Sequence, residues 1–233
     1  MKIQGSAVLV TGANRGIGLA FTQELLARGA KVYGGARNPK SITLPGVIPV
    51  ELDVTDPAET TAAAKRLTDV SIVINNAGVG HVGGFLSDDS EAVAQRMLDT
   101  NYFGIIRVTK AFAPVLKANG GGALLNVLSV ASWVNNGFLA AYAASKSAAW
   151  SLTNSLRHEL AGQNTHVLAL HMGFVDTDLV RGLDRPKAKP EDIVRQALDG
   201  LEAGADEVTG DEWTRAVKAG LSAEEASYLP QTV

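Results

Sequence analysis

Thr11-Gly12-Ala13-Asn14-Arg15-Gly16-Ile17-Gly18 follows the apolar run Ser6-Ala7-Val8-Leu9-Val10 and leads into a segment that closes at Arg28-Gly29. The run before it has the length and composition of a buried strand, and Ile17, Phe21 and Leu25 fall at i, i+4 spacing on one face of a helix. Strand, glycine turn and helix in that order are what a dinucleotide-binding turn requires. Gly12 allows a tight reversal, Gly16 leaves backbone N–H groups open to a pyrophosphate, and Gly18 allows close packing of the helix. The helix N-terminus adds unpaired N–H donors and a partial positive charge. Asn14, Arg15 and Ile17 lie inside the turn and join the expected cofactor site.

Outward from this turn, strands and helices alternate. Lys31–Ala36, Val47–Leu52, Val70–Ile74, Ala123–Leu128 and His166–Leu170 read as strands, with Glu207–Thr209 as a short seventh. Helices are expected after Asp56-Pro57, where Asp caps and Pro takes the first helical position, from about Glu91 to Ala118, and over Tyr142–Leu160. Two more are expected at Pro190–Ala203 and Trp213–Leu221. The pattern predicts an α/β fold: one Rossmann-like, doubly wound parallel sheet of about seven strands with helices on both faces, spanning residues 1–233 as a single domain. The motifs fall at strand C-termini, where ligands sit in such sheets.

Composition narrows the function. A hydrophobic fraction of 46% with 19% charged residues suits a globular chain with a large buried sheet. A formal charge of −3 and the lack of any basic run argue against a nucleic-acid partner. With no cysteine there is no thiolate nucleophile, disulfide or cysteine-bound zinc, as suits a reducing compartment. The apolar runs are strand-sized and the first strand starts within a few residues, so neither a membrane span nor a signal peptide is expected. No metal-ligand cluster accompanies His81 or His171. A cytoplasmic enzyme is the expectation.

The second strand is followed by Ala36-Arg37 instead of the carboxylate that accepts from both ribose hydroxyls in NAD sites. Arg15 and Arg37 together suit a 2′-phosphate, so NADP(H) is the expected cofactor. Tyr142 and Lys146 share a helix face, and an ammonium beside a phenol favours the phenolate and brings it toward proton-transfer work.

The glycine spacing Thr-Gly-x-x-x-Gly-x-Gly, Asn75-Asn76-Ala77-Gly78, Asn101, Ser129 and Tyr142-x-x-x-Lys146 together resemble the short-chain dehydrogenase/reductase family over nearly the whole chain. The resemblance implies an NADPH-dependent carbonyl reductase. In it Tyr142 acts as general acid/base, Ser129 stabilises the carbonyl oxygen, Lys146 holds the nicotinamide ribose and lowers the Tyr142 pKa, and Asn101 positions a relay water. It also implies that Asp53, with Val54, meets the adenine, that Asn76, Ala77 and Gly78 line the ribose side, and that Gly173, Val175 and Thr177 face the carboxamide or pyrophosphate. Asn75 fits a plain turn as well as a binding role. Met172 replaces the proline usual in the family, which predicts a looser loop.

For substrate, Trp133, Phe138 and Phe174 are candidate apolar walls and His81 a candidate edge, with core or subunit packing as the competing role for Trp133 and Phe138. The run between Thr177 and Pro190 is short beside the family's usual lid, so an open pocket for apolar or aromatic ketones and aldehydes is expected. The resemblance implies a homodimer, with a tetramer as the alternative, and places Trp150 on the exposed contact face. Two rival readings remain at this point: an acyl-carrier-linked 3-ketoacyl reductase, and a non-catalytic NADPH-binding sensor or scaffold. The second predicts a damaged catalytic set, whereas Asn101, Ser129, Tyr142 and Lys146 are all present.

Overall fold

Alternating side chains along the strands feed two separate cores, and the sheet lies between them. In the computed structural model, which describes residues 1–229, Val8, Val10, Ile72, Ile74, Leu125 and Leu168 enter one core while Leu9, Val73, Leu124, Val167 and Ala169 enter the other. The strands are β1 (Ala7–Thr11), β2 (Lys31–Ala36), β3 (Val47–Glu51), β4 (Ile72–Asn75), β5 (Gly122–Val127), β6 (Thr165–His171) and β7 (Glu207–Thr209). They pair in parallel in the order β3-β2-β1-β4-β5-β6-β7. Helices α1 (Gly16–Ala27) and, three elements from the end, α6 (Pro190–Ala203) cover the first face, with Phe21 and Leu25 meeting the same core as Ile193, Leu198 and Leu201. Helices α2 (Pro57–Arg66), α4 (Gly104–Ala118) and α5 (Ala140–Ala161) cover the second. Helix α3 (Ser90–Leu98) packs Val93 and Met97 against Ala141 of α5, and α7 (Glu212–Ala219) follows β7. The doubly wound sheet is the one expected from the sequence. Among the described residues no helix is long and apolar enough to cross a membrane.

Strand order reverses between β1 and β4, which opens a crevice at their C-terminal ends. Asp56 caps α2 as expected, its Oδ1 accepting from Ala58 N and Glu59 N. The stretch expected as one helix from Glu91 to Ala118 is instead broken. Residues Asp99–Phe103 form a π turn in which Gly104 N donates to Asp99 O. Arg107 holds the break by donating to the Asp99 carboxylate (2.7 Å) and carbonyl (3.1 Å). Such turns gather at functional sites, and this one carries Asn101.

A buried polar chain fastens α5 to the sheet. Asn75 Nδ2 donates to Asn126 Oδ1 (2.8 Å), Asn126 Nδ2 to Thr153 Oγ1 (3.0 Å), and Thr153 Oγ1 to Ala149 O (2.7 Å). Asn75 is thus buried on β4 with its side chain used for structure. Truncating Asn126 to Ala strands two buried groups and opens a gap, at an expected cost of about 2 kcal/mol. Urea unfolding checks this, and a loss below about 0.5 kcal/mol would show that the chain of bonds carries little stability.

Candidate active site

The glycine turn is held from the neighbouring strand. Asn76 Nδ2 donates to Thr11 O (2.9 Å) and Gly12 O (3.1 Å), while Thr11 Oγ1 accepts from Asn76 N and Ala77 N, each at 3.0 Å. Gly12 and Gly16 adopt φ of +65° and +53°, the left-handed region in which a side chain is strained. Gly18 packs against the turn itself: a methyl there would lie 2.1 Å from Gly12 O and 2.5 Å from Asn76 Nδ2.

This turn forms one end of a cavity of about 1110 Å3 that runs along the strand C-termini. Every position named for the cofactor lines it: Asn14 and Ile17 in the turn, Arg37 after β2, Asp53 and Val54 after β3, Asn76 to Gly78 after β4, and Gly173, Val175 and Thr177 after β6. Thr177 reaches across to the turn, its Cγ2 lying 3.3 Å from where a methyl on Gly16 would sit. Asp53 Oδ1 accepts from Thr55 N (2.9 Å) and Thr55 Oγ1 (2.8 Å), which orients the carboxylate. Arg15 and Arg37 are exposed on the cavity rim, and neither joins an ion pair found among the described residues. The segment after β6 is not loose despite Met172. Met172 is buried, its carbonyl accepts from Val130 N (2.8 Å), and Val175 pairs with Ala188.

At the other end of the cavity Ser129, Tyr142 and Lys146 come together. The fifth strand, expected over Ala123–Leu128, stops at Val127, and Ser129 caps the 3-10 turn Val130–Ser132, its Oγ accepting from Ala131 N (3.1 Å). Tyr142 and Lys146 lie on one face of α5, with Lys146 Nζ 5.9 Å from the phenol ring centroid. That ammonium is buried and donates to Val127 O at 2.8 Å. Burial brings the Lys146 pKa down to about 8. The expectation that Lys146 lowers the Tyr142 pKa is reversed in the protein alone. Burial raises the phenol above its ordinary value, and the nearby Ser129 hydroxyl only partly opposes this. The phenol is therefore protonated at neutral pH.

Asn101 is buried beside this group and does not line the cavity. Its Oδ1 accepts from Val79 N, and its Nδ2 donates to Val79 O and Ser145 Oγ, all at 2.9 Å. The side chain thus holds the Gly78–Val79 turn against α5, with both Nδ2 protons donated and Oδ1 accepting one bond.

His81, Phe138 and Phe174 line the cavity. Trp133 does not, which corrects its expected place in the substrate pocket. Its indole turns away to stack on His171 (centroids 4.0 Å apart, 20°) and meets Trp150 edge-on at 6.3 Å. His171 is buried, with Nδ1 3.1 Å from Ser129 O, and burial lowers its pKa to about 4. Trp150 is only partly exposed and packs on the second core. Sequence reasoning missed Trp213 and Leu183 as cavity residues. Trp213 carries no motif, although an aromatic residue just after a sheet strand in this topology was a usable signal. Among the described residues no group of side chains could hold a metal ion.

Comparison with known proteins agrees with this geometry. The model of a family described as short chain dehydrogenase matches residues 6–188. The chain is 30% identical to the 3-oxoacyl-(acyl-carrier-protein) reductase FabG of Salmonella typhimurium, over 98% of this chain and 94% of that protein. It is 33% identical to the 3-oxoacyl-(acyl-carrier-protein) reductase MabA of Mycobacterium tuberculosis, over 97% and 89%. The crystal structure of a short chain dehydrogenase from Burkholderia cenocepacia in complex with NADP superposes with a TM-score of 0.92 at 37% identity, covering 96% of this chain and 95% of that one.

Proposed function

The chain belongs to the short-chain dehydrogenase/reductase family of oxidoreductases, and from that premise we propose that it is an NADPH-dependent carbonyl reductase, reversibly converting a ketone or aldehyde to an alcohol. The observation that carries the reading is geometric: Tyr142 shares one face of α5 with the buried Lys146, and both line the same cavity as Ser129 and the glycine turn.

The residues fit NADP. The glycine turn and the N-terminus of α1 offer N–H groups to the pyrophosphate, and Arg15 and Arg37 offer free guanidinium groups to the 2′-phosphate. Ala36 leaves no carboxylate to repel it. The Burkholderia relative, 37% identical, was crystallised with NADP. When bound, the nicotinamide supplies the hydride.

The protein's own groups manage the oxygen of the substrate. Ser129 donates a hydrogen bond to the carbonyl oxygen as negative charge grows there. Tyr142 gives that oxygen its proton, and a phenol raised by burial enters this step in the acid form it needs. In reverse, Tyr142 takes the proton back as phenolate, a state that the nearby Lys146 ammonium favours.

The test is consumption of NADPH against NADH on a panel of small ketones and aldehydes. NADPH is expected to be strongly preferred, and Arg15→Ala/Arg37→Ala is expected to raise its KM roughly tenfold to a hundredfold with little change for NADH. Equal use of both cofactors by the unaltered protein would refute the assignment. A second reading, reduction of 3-oxoacyl thioesters, is favoured by the activity named for the curated relatives at 30–33% identity. Including acetoacetyl-CoA in the panel separates the two.

A further inference from the structure

Gly173, directly after the buried Met172, has no room for a side chain, because a methyl there would lie 2.7 Å from Cε3 of Trp213. The indole thus rests on the backbone of the segment that bounds the cavity next to Tyr142 and Ser129. Phe174 lies parallel to it, with centroids 5.9 Å apart and planes inclined by 12°. Both rings line the catalytic cavity, and Trp213 nevertheless keeps 48% of its surface exposed.

The pair is rigidly mounted. Asp211, the N-cap of α7, accepts from Thr214 N (2.9 Å) and Thr214 Oγ1 (2.8 Å), and the same carboxylate accepts from Gly173 N at 2.6 Å. One side chain therefore fixes both the helix that carries Trp213 and the loop that carries Phe174. Parallel aromatic faces on backbones fixed in this way lose little entropy when a third ring joins them, and such a ring gains offset stacking beyond area burial. Val134, Phe138 and Leu183 continue an apolar lining around the same space.

We infer that Phe174 and Trp213 form an aromatic platform that receives the ring of an aryl ketone or aryl aldehyde, with Trp213 as the residue that sets specificity. The inference rests on the carbonyl-reductase reading above and names the substrate class of that site. It excludes a flexible acyl chain as the preferred occupant, since a chain gains no stacking from parallel rings.

The experiment compares phenyl methyl ketone with cyclohexyl methyl ketone, which share a carbon skeleton and differ in aromaticity. With NADPH, the ratio of their kcat/KM values is measured in the unaltered protein, Trp213→Leu and Trp213→Phe. The ratio is expected to fall roughly fivefold in Trp213→Leu and to stay within about twofold in Trp213→Phe. An unchanged ratio in Trp213→Leu, or an equal fall in both variants, overturns the inference. Turnover of acetoacetyl-CoA in preference to both ketones also overturns it, while leaving the reductase reading in place. If no carbonyl is reduced at all, the reductase reading fails, and the platform is then read through tryptophan emission. Quenching by 1-phenylethanol that Trp213→Leu abolishes sustains the ring site, and quenching that survives the substitution, or none, overturns it.

Discussion

Tyr142→Phe is expected to lower kcat for carbonyl reduction roughly a thousandfold, while the Kd for NADPH changes far less. The substitution removes one oxygen and keeps the ring, so α5 and its packing remain. What is lost is the phenolic proton donor in the cavity that Ser129 also lines. A positioned general acid contributes about a hundredfold to ten-thousandfold. Lys146 lies on the same face, yet its ammonium is turned to the Val127 carbonyl. Steady-state turnover at neutral pH, with a fluorescence titration of cofactor binding alongside, checks the expectation. A variant that retained a tenth of the original kcat would remove Tyr142 from the acid role.

Gly18→Ala is expected to cost about 3 kcal/mol of stability, or roughly 10 °C in melting temperature, and to abolish cofactor binding. The added methyl meets the Gly12 carbonyl oxygen at 2.1 Å and Asn76 Nδ2 at 2.5 Å. Neither can retreat cheaply. Asn76 Nδ2 holds the carbonyls of Thr11 and Gly12 together, and Thr11 Oγ1 ties the turn back to Asn76 and Ala77. The variant must either distort the glycine turn or push α1 off the sheet. Gly162→Ala is the control, since a methyl there meets nothing within 4 Å and the backbone is right-handed helical; its stability should stay within about 0.5 kcal/mol. Thermal melts of the two variants decide the matter, and similar melting temperatures would show that the turn tolerates a side chain.

Legibility in the sequence tracked how local each feature is. The strands were readable because both faces of a parallel sheet are apolar, and the glycine turn because its φ values and close approach admit few alternatives. Arg37 after β2 was readable from its place at a strand end, whereas Asp53, Val54 and Asn76 to Gly78 were expected from the family resemblance. The π turn around Asn101 was not readable, because an i→i+5 hydrogen bond needs no particular residue and this one is secured by Arg107 from the following helix. Trp133 was misplaced because the capped 3-10 turn after Ser129 aims its indole at His171, a direction that spacing along the chain does not encode. Trp213 was missed for the converse reason: it reaches the cavity only through the bond between Asp211 and Gly173, far apart in sequence. The phenol was expected to be lowered by its charged neighbour, and burial outweighs that effect.

Helix α1, among the earliest parts of the chain, shares its apolar core with α6, close to the last. Arg28 at the end of α1 pairs with Asp199 and Glu202, and Ile3 N donates to the Glu202 carboxylate at 3.0 Å. During synthesis α1 can cover part of that face early, while the part that α6 covers stays open until residues 190–203 have left the ribosome. The other face can gather α2, α4 and α5 earlier, so the two sides of the molecule mature at different times. A nascent chain halted before α6 leaves open the side of that core which Ile193, Leu198 and Leu201 fill, and it is this intermediate that chaperones would need to shield.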